Sequence, residues 1–236
     1  MVPPPRAAGG VGLCRDRTPR VDTDRRSPYP STVTTSSTDL FKDKAQDWDS
    51  RPVPAQISAG VGAALRARVA LSPELRVMDF GAGTGLVCAH VAPHVATVHA
   101  VDISAAMLAQ LAAKPELQGK VVVHCQDILA RPLDQQVDLI ISAMAMHHVE
   151  DTDRMLRAFA AHLAPGGRVA LADLDTEPGT FHPPDAVGVF HHGFDRADLG
   201  RRLAAAGFTA IEFATATQVA KDDRRYDVFL VTATKA

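Results

Sequence analysis

Two kinds of apolar run alternate along this chain. Val77-Met78-Asp79-Phe80, Val95 to Asp102, Val121 to Cys125, Asp138 to Ser142 and Arg168 to Asp175 are short apolar runs, which predicts strands, the first of them a buried parallel strand. Between them the apolar positions take helical spacing. Ile57, Val61, Leu65 and Val69 fall on one face of a predicted helix over 55–69, Met107, Leu108 and Leu111 mark another over 105–113, and Met155, Leu156, Phe159 and Leu163 mark a third beginning at Thr152. Leu40 to Asp49 is read as a helix capped by Asp39, 86–91 as a short helix after a glycine turn, and 195–206 as a helix capped by Asp195 and stopped at Gly207. Strands Phe208 to Val219 and Tyr226 to Thr234, joined through charged Lys221 to Arg225, close the chain. Strands alternating with helices predict an α/β sheet with helices on both faces.

The first 38 residues break this pattern. They are rich in Pro, Arg, Ser and Thr with almost no periodic apolar positions, so they are expected to be a disordered tail. Asp16, Asp22 and Asp24 and the absence of an apolar signal core argue against a targeting peptide. The ordered domain is expected over 39–236, with 39–72 a helical segment preceding the sheet. Residues 176–194 form a loop long enough to be functional. At 236 residues and 46% apolar, the chain supports one such domain. A net charge of -2 gives no general attraction to nucleic acid, and no run is apolar and long enough to span a membrane. Three scattered cysteines offer neither a disulfide framework nor a metal spacing and suit a reducing, cytoplasmic setting.

Candidate chemistry begins at Gly81-Ala82-Gly83-Thr84-Gly85, the turn between the first strand and its helix. Glycine permits positive φ and lets a ligand approach the backbone, and N–H groups at a helix start can receive a carboxylate or phosphate. A dinucleotide site wants Gly-x-Gly-x-x-Gly, which would place a third glycine where this chain has Leu86. Asp102 ends the second strand, where a carboxylate can accept bonds from ribose hydroxyls; Ser104 is the better candidate to cap the helix that follows.

With Asp79 just before it, the Gly-x-Gly-x-Gly turn resembles motif I of the class I S-adenosylmethionine-dependent methyltransferases. Leu163-Ala164-Pro165-Gly166-Gly167 before an apolar strand is similar to a recurrent feature of that family. The resemblance extends over most of 39–236 and is nearest to the ubiquinone/menaquinone-type, small-molecule group. It implies a Rossmann-like seven-stranded sheet of order 3-2-1-4-5-7-6 with the last inserted strand antiparallel. It further implies S-adenosylmethionine as cofactor, Gly81, Ala82 and Gly83 under its methionine part with Asp79 supporting the loop, and Asp102 on the ribose. Ile103, Ile128 and Asp127 would meet the adenine, and Met107 and Ser142 would complete the contacts. The pattern Phe41, Ala45, Trp48 resembles an N-terminal segment that folds over the cofactor as a lid.

The end of the fourth strand, Ser142 to Glu150, should face the transferred methyl group. Ser142-Ala143-Met144-Ala145 lacks the Asn/Asp-Pro-Pro-aromatic run of enzymes that methylate nucleic acid bases. The expected acceptor is therefore a small organic molecule. Methyl transfer depends chiefly on positioning and needs a base only where the acceptor loses a proton. His148 is the first candidate base and His147 the second; His182, His191, His192, Asp173 and Asp175 are within the same region of the chain. On a strand His147 and His148 would point opposite ways. These histidines lack familiar ligand spacing, so no metal is expected. Phe181, Phe190 and Phe194 are read as an apolar lid. An NAD(P)-dependent oxidoreductase or a non-catalytic cofactor-binding protein remain as alternatives, and oligomeric state is not encoded in any of these patterns.

Overall fold

The computed structural model describes residues 39–236; the tail expected over 1–38 lies outside the described residues. Seven strands, β1 (Arg76–Phe80), β2 (Thr97–Asp102), β3 (Val121–Cys125), β4 (Val137–Ala143), β5 (Leu163–Leu174), β6 (Phe208–Lys221) and β7 (Arg224–Lys235), form one sheet. Their order is β3-β2-β1-β4-β5-β7-β6. The first five strands pair in parallel, and β7 inserts antiparallel between β5 and β6. The implied order and the inserted antiparallel strand are both borne out. Reversal of strand order between β1 and β4 opens a crevice at their carboxyl ends, where ligands of such sheets bind.

Alternation along each strand assigns the helices to their faces. Val77, Leu139, Ile141, Ala170 and Ala172 point to one side, where they pack with α1 (Pro52–Arg68), α2 (Cys88–Val91) and α3 (Ala105–Ala112). Met78, Ile140, Val169 and Leu171 point to the other, against α4 (Thr152–His162) and α5 (Arg196–Ala205). Successive side chains of a strand face opposite sides, and because both sides here are covered the strands carry continuous apolar runs. Phe159 of α4 is fully buried and stands edge-on to Phe80, with ring centroids 5.0 Å apart.

Several element boundaries differ from the sequence reading. Residues 40–49 form two 3-10 turns, Lys42–Lys44 and Trp48–Ser50, in place of one helix. Within 40–49 only Ala45 is buried, so little packing holds a longer helix. α1 starts at Pro52, earlier than 55, because proline is tolerated where the first N–H groups have no partner. The helix after the glycine turn contracts to α2 and a 3-10 turn over Ala92–His94, with Pro93 unable to continue it. Among the described residues no helix is long and apolar enough to cross a membrane.

Candidate active site

Three glycines carry the chain out of β1 with positive φ: Gly81 at 70°, Gly83 at 55° and Gly85 at 82°. The N–H groups of Gly81 and Ala82 both donate to the Val101 carbonyl, at 2.9 and 3.0 Å, which pins the turn to β2. A Cβ on Gly81 would lie 2.3 Å from the Ala145 Cβ, whereas one on Gly83 would meet nothing within 4 Å. The first glycine is required by a neighbour inside the protein; the second leaves backbone open to a ligand. Gly81→Ala is expected to destabilise the protein by more than the ~1–2 kcal/mol of positive φ alone. Gly119→Ala, with φ 74° and open space, should cost only that strain. Equal urea midpoints for the two variants would refute a role for the Ala145 contact.

Asp102 is organised by the same turn. Its Oδ2 accepts from Gly83 N at 2.8 Å and its Oδ1 from Ser104 N at 2.8 Å. Burial raises its pKa, those N–H groups oppose the shift, and the Asp39 carboxylate adds to it. Ser104 Oγ accepts from Met107 N at 3.2 Å and caps α3, so capping does not fall to Asp102. Beside it Ile103 is 58% exposed, an apolar surface next to a carboxylate. Asp127 lies in the neighbouring loop, its Oδ1 accepting from Leu129 N at 2.8 Å.

Other predicted contacts fall differently. Ile128 is wholly buried in the core and offers no surface to a ring; Ile103 has the free apolar face. Met107 is 3% exposed, under the start of α3. Ser142 Oγ donates to the Phe80 carbonyl at 2.9 Å, tying β4 to β1. Asp79 is 2% exposed, with the Cys88 Sγ 3.1 Å from its Oδ2. Burial pushes the Asp79 carboxyl up to about 7, the Cys88 hydrogen bond opposes this, and the Asp102 charge adds to it.

Residues 39–50 lie across this crevice. Asp39 accepts from Ser104 Oγ at 2.9 Å, and Asp49 accepts from Thr84 Oγ1 and pairs with Lys114. Phe41 stands edge-on to Trp48 and to His148, at 6.0 and 5.3 Å between centroids. One short stretch thus touches the glycine turn, Ser104 beside Asp102, and the histidines.

Those histidines are closer than a strand would allow. β4 ends at Ala143, Met144 turns the chain with φ 56°, and Met146–His148 is a 3-10 turn. The His147 and His148 rings therefore lie 4.1 Å apart, on one side, correcting the expectation that they diverge. His147 is 1% exposed; its Nδ1 lies 2.7 Å from Asp173 Oδ1, and its Nε2 lies 3.1 Å from His182 Nε2. His148 donates through Nδ1 to the Gly188 carbonyl at 2.6 Å. Burial first, and His147 second, pull both His148 and His182 down to about 4.

The loop that delivers His182 is tied at its base. Phe194 N donates to Leu174 O, Thr176 N to Phe194 O and Glu177 N to His192 O. Its tip folds back, with Phe190 N and His191 N both donating to His147 O. Phe181 and Phe194 are buried and only Phe190 is exposed, at 52%. Two of the three phenylalanines read as lid are therefore anchors. Among the described residues, no group of three or more His, Cys, Asp or Glu side chains is arranged to hold a metal ion. Asp173 was readable only as one of two acids, with Asp175, among the candidate bases. Its signal is a carboxylate inside an apolar strand, which is costly to bury unless paired.

The methyltransferase domain family matches residues 54–212. A Schizosaccharomyces pombe protein named as an uncharacterised methyltransferase is 30% identical over 135 residues, 50% of this chain and 48% of that protein. The malonyl-[acyl-carrier protein] O-methyltransferase of Halorhodospira halophila is 31% identical over 141 residues, 56% of this chain and 48% of its own. This chain spans about half the length of these curated relatives. Among solved structures, the DhpI–SAH complex is similar with a TM-score of 0.65 at 24% identity, covering 84% of this chain and 94% of that one, a likeness of fold.

Proposed function

The chain belongs to the methyltransferase domain family, and from that premise we propose that it transfers a methyl group from S-adenosylmethionine to a small organic acceptor. The observation that carries this reading is the stretch from Gly81 to Ile103. It combines an open backbone cradle at Gly83, a carboxylate bonded to that cradle, and an exposed apolar side chain beside it. These suit the three parts of one ligand: a methionine moiety along the turn, ribose hydroxyls at Asp102, and adenine against Ile103 with Asp127 at its amino edge. Bound there, the cofactor supplies a methyl group activated by a sulfonium.

The protein's contribution is placement and exclusion of water. Residues 39–72 and the 176–194 loop are proposed to enclose the acceptor, supported by the contact of Leu40 with Gly188 and of Phe41 with His148. A basic docking face for nucleic acid has no support in the net charge of -2. The setting proposed for the reaction is reducing and cytoplasmic, a reading supported by the free thiols of Cys88 and Cys125 among the described residues. Calorimetric titration of the purified full chain with S-adenosylhomocysteine, with NADH in parallel, tests the cofactor. Binding of the first alone is expected. Binding of NADH alone would return the glycine turn to the dinucleotide class despite Leu86.

A further inference from the structure

We propose that Asp173, His147 and His182 form a proton relay, and that the methyl acceptor is a small molecule presenting a hydroxyl whose proton leaves to His182. This deepens the methyl-transfer reading above and rests on it. Asp173 is 0% exposed and bonded through both oxygens: Oδ1 takes His147 Nδ1 at 2.7 Å and Leu174 N at 2.8 Å, and Oδ2 takes His147 N at 3.2 Å. A carboxylate only accepts hydrogen bonds, so His147 carries its proton on Nδ1 and presents a lone pair at Nε2. That lone pair faces His182 Nε2 at 3.1 Å, which makes His182 the donor there. The base lone pair of His182 is then at Nδ1, on a ring only half buried, while His147 is sealed.

The relay gives the departing proton a destination. As the hydroxyl oxygen forms the new C–O bond, the C–S bond breaks with its electron pair going to sulfur, and the hydroxyl proton moves to His182 Nδ1. The Nε2 proton of His182 passes to His147 Nε2, and the positive charge settles on an imidazolium held against Asp173. His148 has no such support: its Nδ1 donates to a neutral carbonyl and Phe41 covers its ring. Glu177 fixes the turn that presents His182, its Oε2 accepting from Thr180 N at 2.6 Å and Phe181 N at 3.1 Å. His148 and Lys221 also face His182 and disfavour its charged form, and Asp173 favours it. Ala145, against which Gly81 packs, is two residues from His147, so the relay begins beside the glycine turn.

The test uses the full chain with methyl-labelled S-adenosylmethionine and matched sets of phenols and anilines. Label is expected in phenols. His182→Gln should lower kcat by at least about a hundredfold with the affinity for S-adenosylhomocysteine unchanged within about twofold. Asp173→Asn should, in addition, move the acid limb of the pH profile to lower pH, because the imidazolium loses its carboxylate; a purely structural role would leave the profile in place. Should that buried variant fail to fold, His182→Gln and wild type decide. Label only in anilines, label in neither set, or full activity in His182→Gln overturns the relay. A wild-type chain that does not bind S-adenosylhomocysteine overturns the methyl-transfer reading itself.

Discussion

Asp102→Ala is expected to weaken binding of S-adenosylhomocysteine by at least about thirtyfold, or about 2 kcal/mol. The carboxylate acts in two directions. Inward, it accepts from Gly83 N and Ser104 N, both at 2.8 Å, so the turn that approaches the cofactor is held in shape by the residue proposed to bind its ribose. Removing it leaves two backbone donors without their partner and removes the acceptor for the ribose hydroxyls. Asp102→Asn keeps one accepting oxygen and should recover part of the affinity. Asp127→Ala, at an exposed carboxylate bonded to Leu129 N, should lose less. The measurement is calorimetry on variants checked for folding by thermal unfolding. Unchanged affinity in a folded Asp102→Ala would remove the ribose assignment and leave this carboxylate as a loop clamp.

The sheet was legible because its signal is local and repeated. Strands β1, β2, β4 and β5 are short apolar runs with buried centres, β3 at the sheet edge is a β-branched run left partly exposed, and Pro165-Gly166-Gly167 near the start of β5 marks the return from α4. Strand order itself came from the family resemblance, since nothing in β7 announces that it inserts beside β5. The turn at Gly81 to Gly85 and the acid at Asp102 were legible for a similar reason: positive φ and a strand-end carboxylate are written in single residues. What escaped was long-range. Asp173 meets His147 only because β4 and β5 are neighbours, and His182 arrives from a loop whose path is set by backbone bonds from Phe190 and His191 to His147. The expectation that His147 and His148 diverge failed at Met144, a non-glycine residue at positive φ that follows the end of β4 and turns the chain into the 3-10 turn carrying both histidines. Ile128 misled because an apolar residue after a loop acid looks the same whether it faces a ligand or the core.

Asp79 leads to a second large effect, this time on stability. Its carboxyl is raised to about 7 against an ordinary 3.8, chiefly by burial, so between those two values the folded protein holds a proton that the unfolded chain has released. The sign follows from linkage: this group's contribution is fully present below about pH 4 and is lost as pH rises through about 7. Each tenfold weakening of the acid on folding is worth about 1.4 kcal/mol, so the loss approaches about 4 kcal/mol above neutrality. Asp79→Asn stays neutral throughout, so its stability relative to wild type should increase by up to that amount between about pH 4 and about pH 8. Urea unfolding of both proteins at the two pH values reads the difference directly, and a difference that does not change with pH would show that Asp79 ionises normally in the fold. A buried carboxyl beside the turn costs stability above neutrality, which is the pattern expected of a residue with a part in its site. On that basis Asp79→Asn gains stability at high pH while losing affinity for S-adenosylhomocysteine. A variant that gains the first without losing the second would make Asp79 a burden of the core with no part in holding the loop.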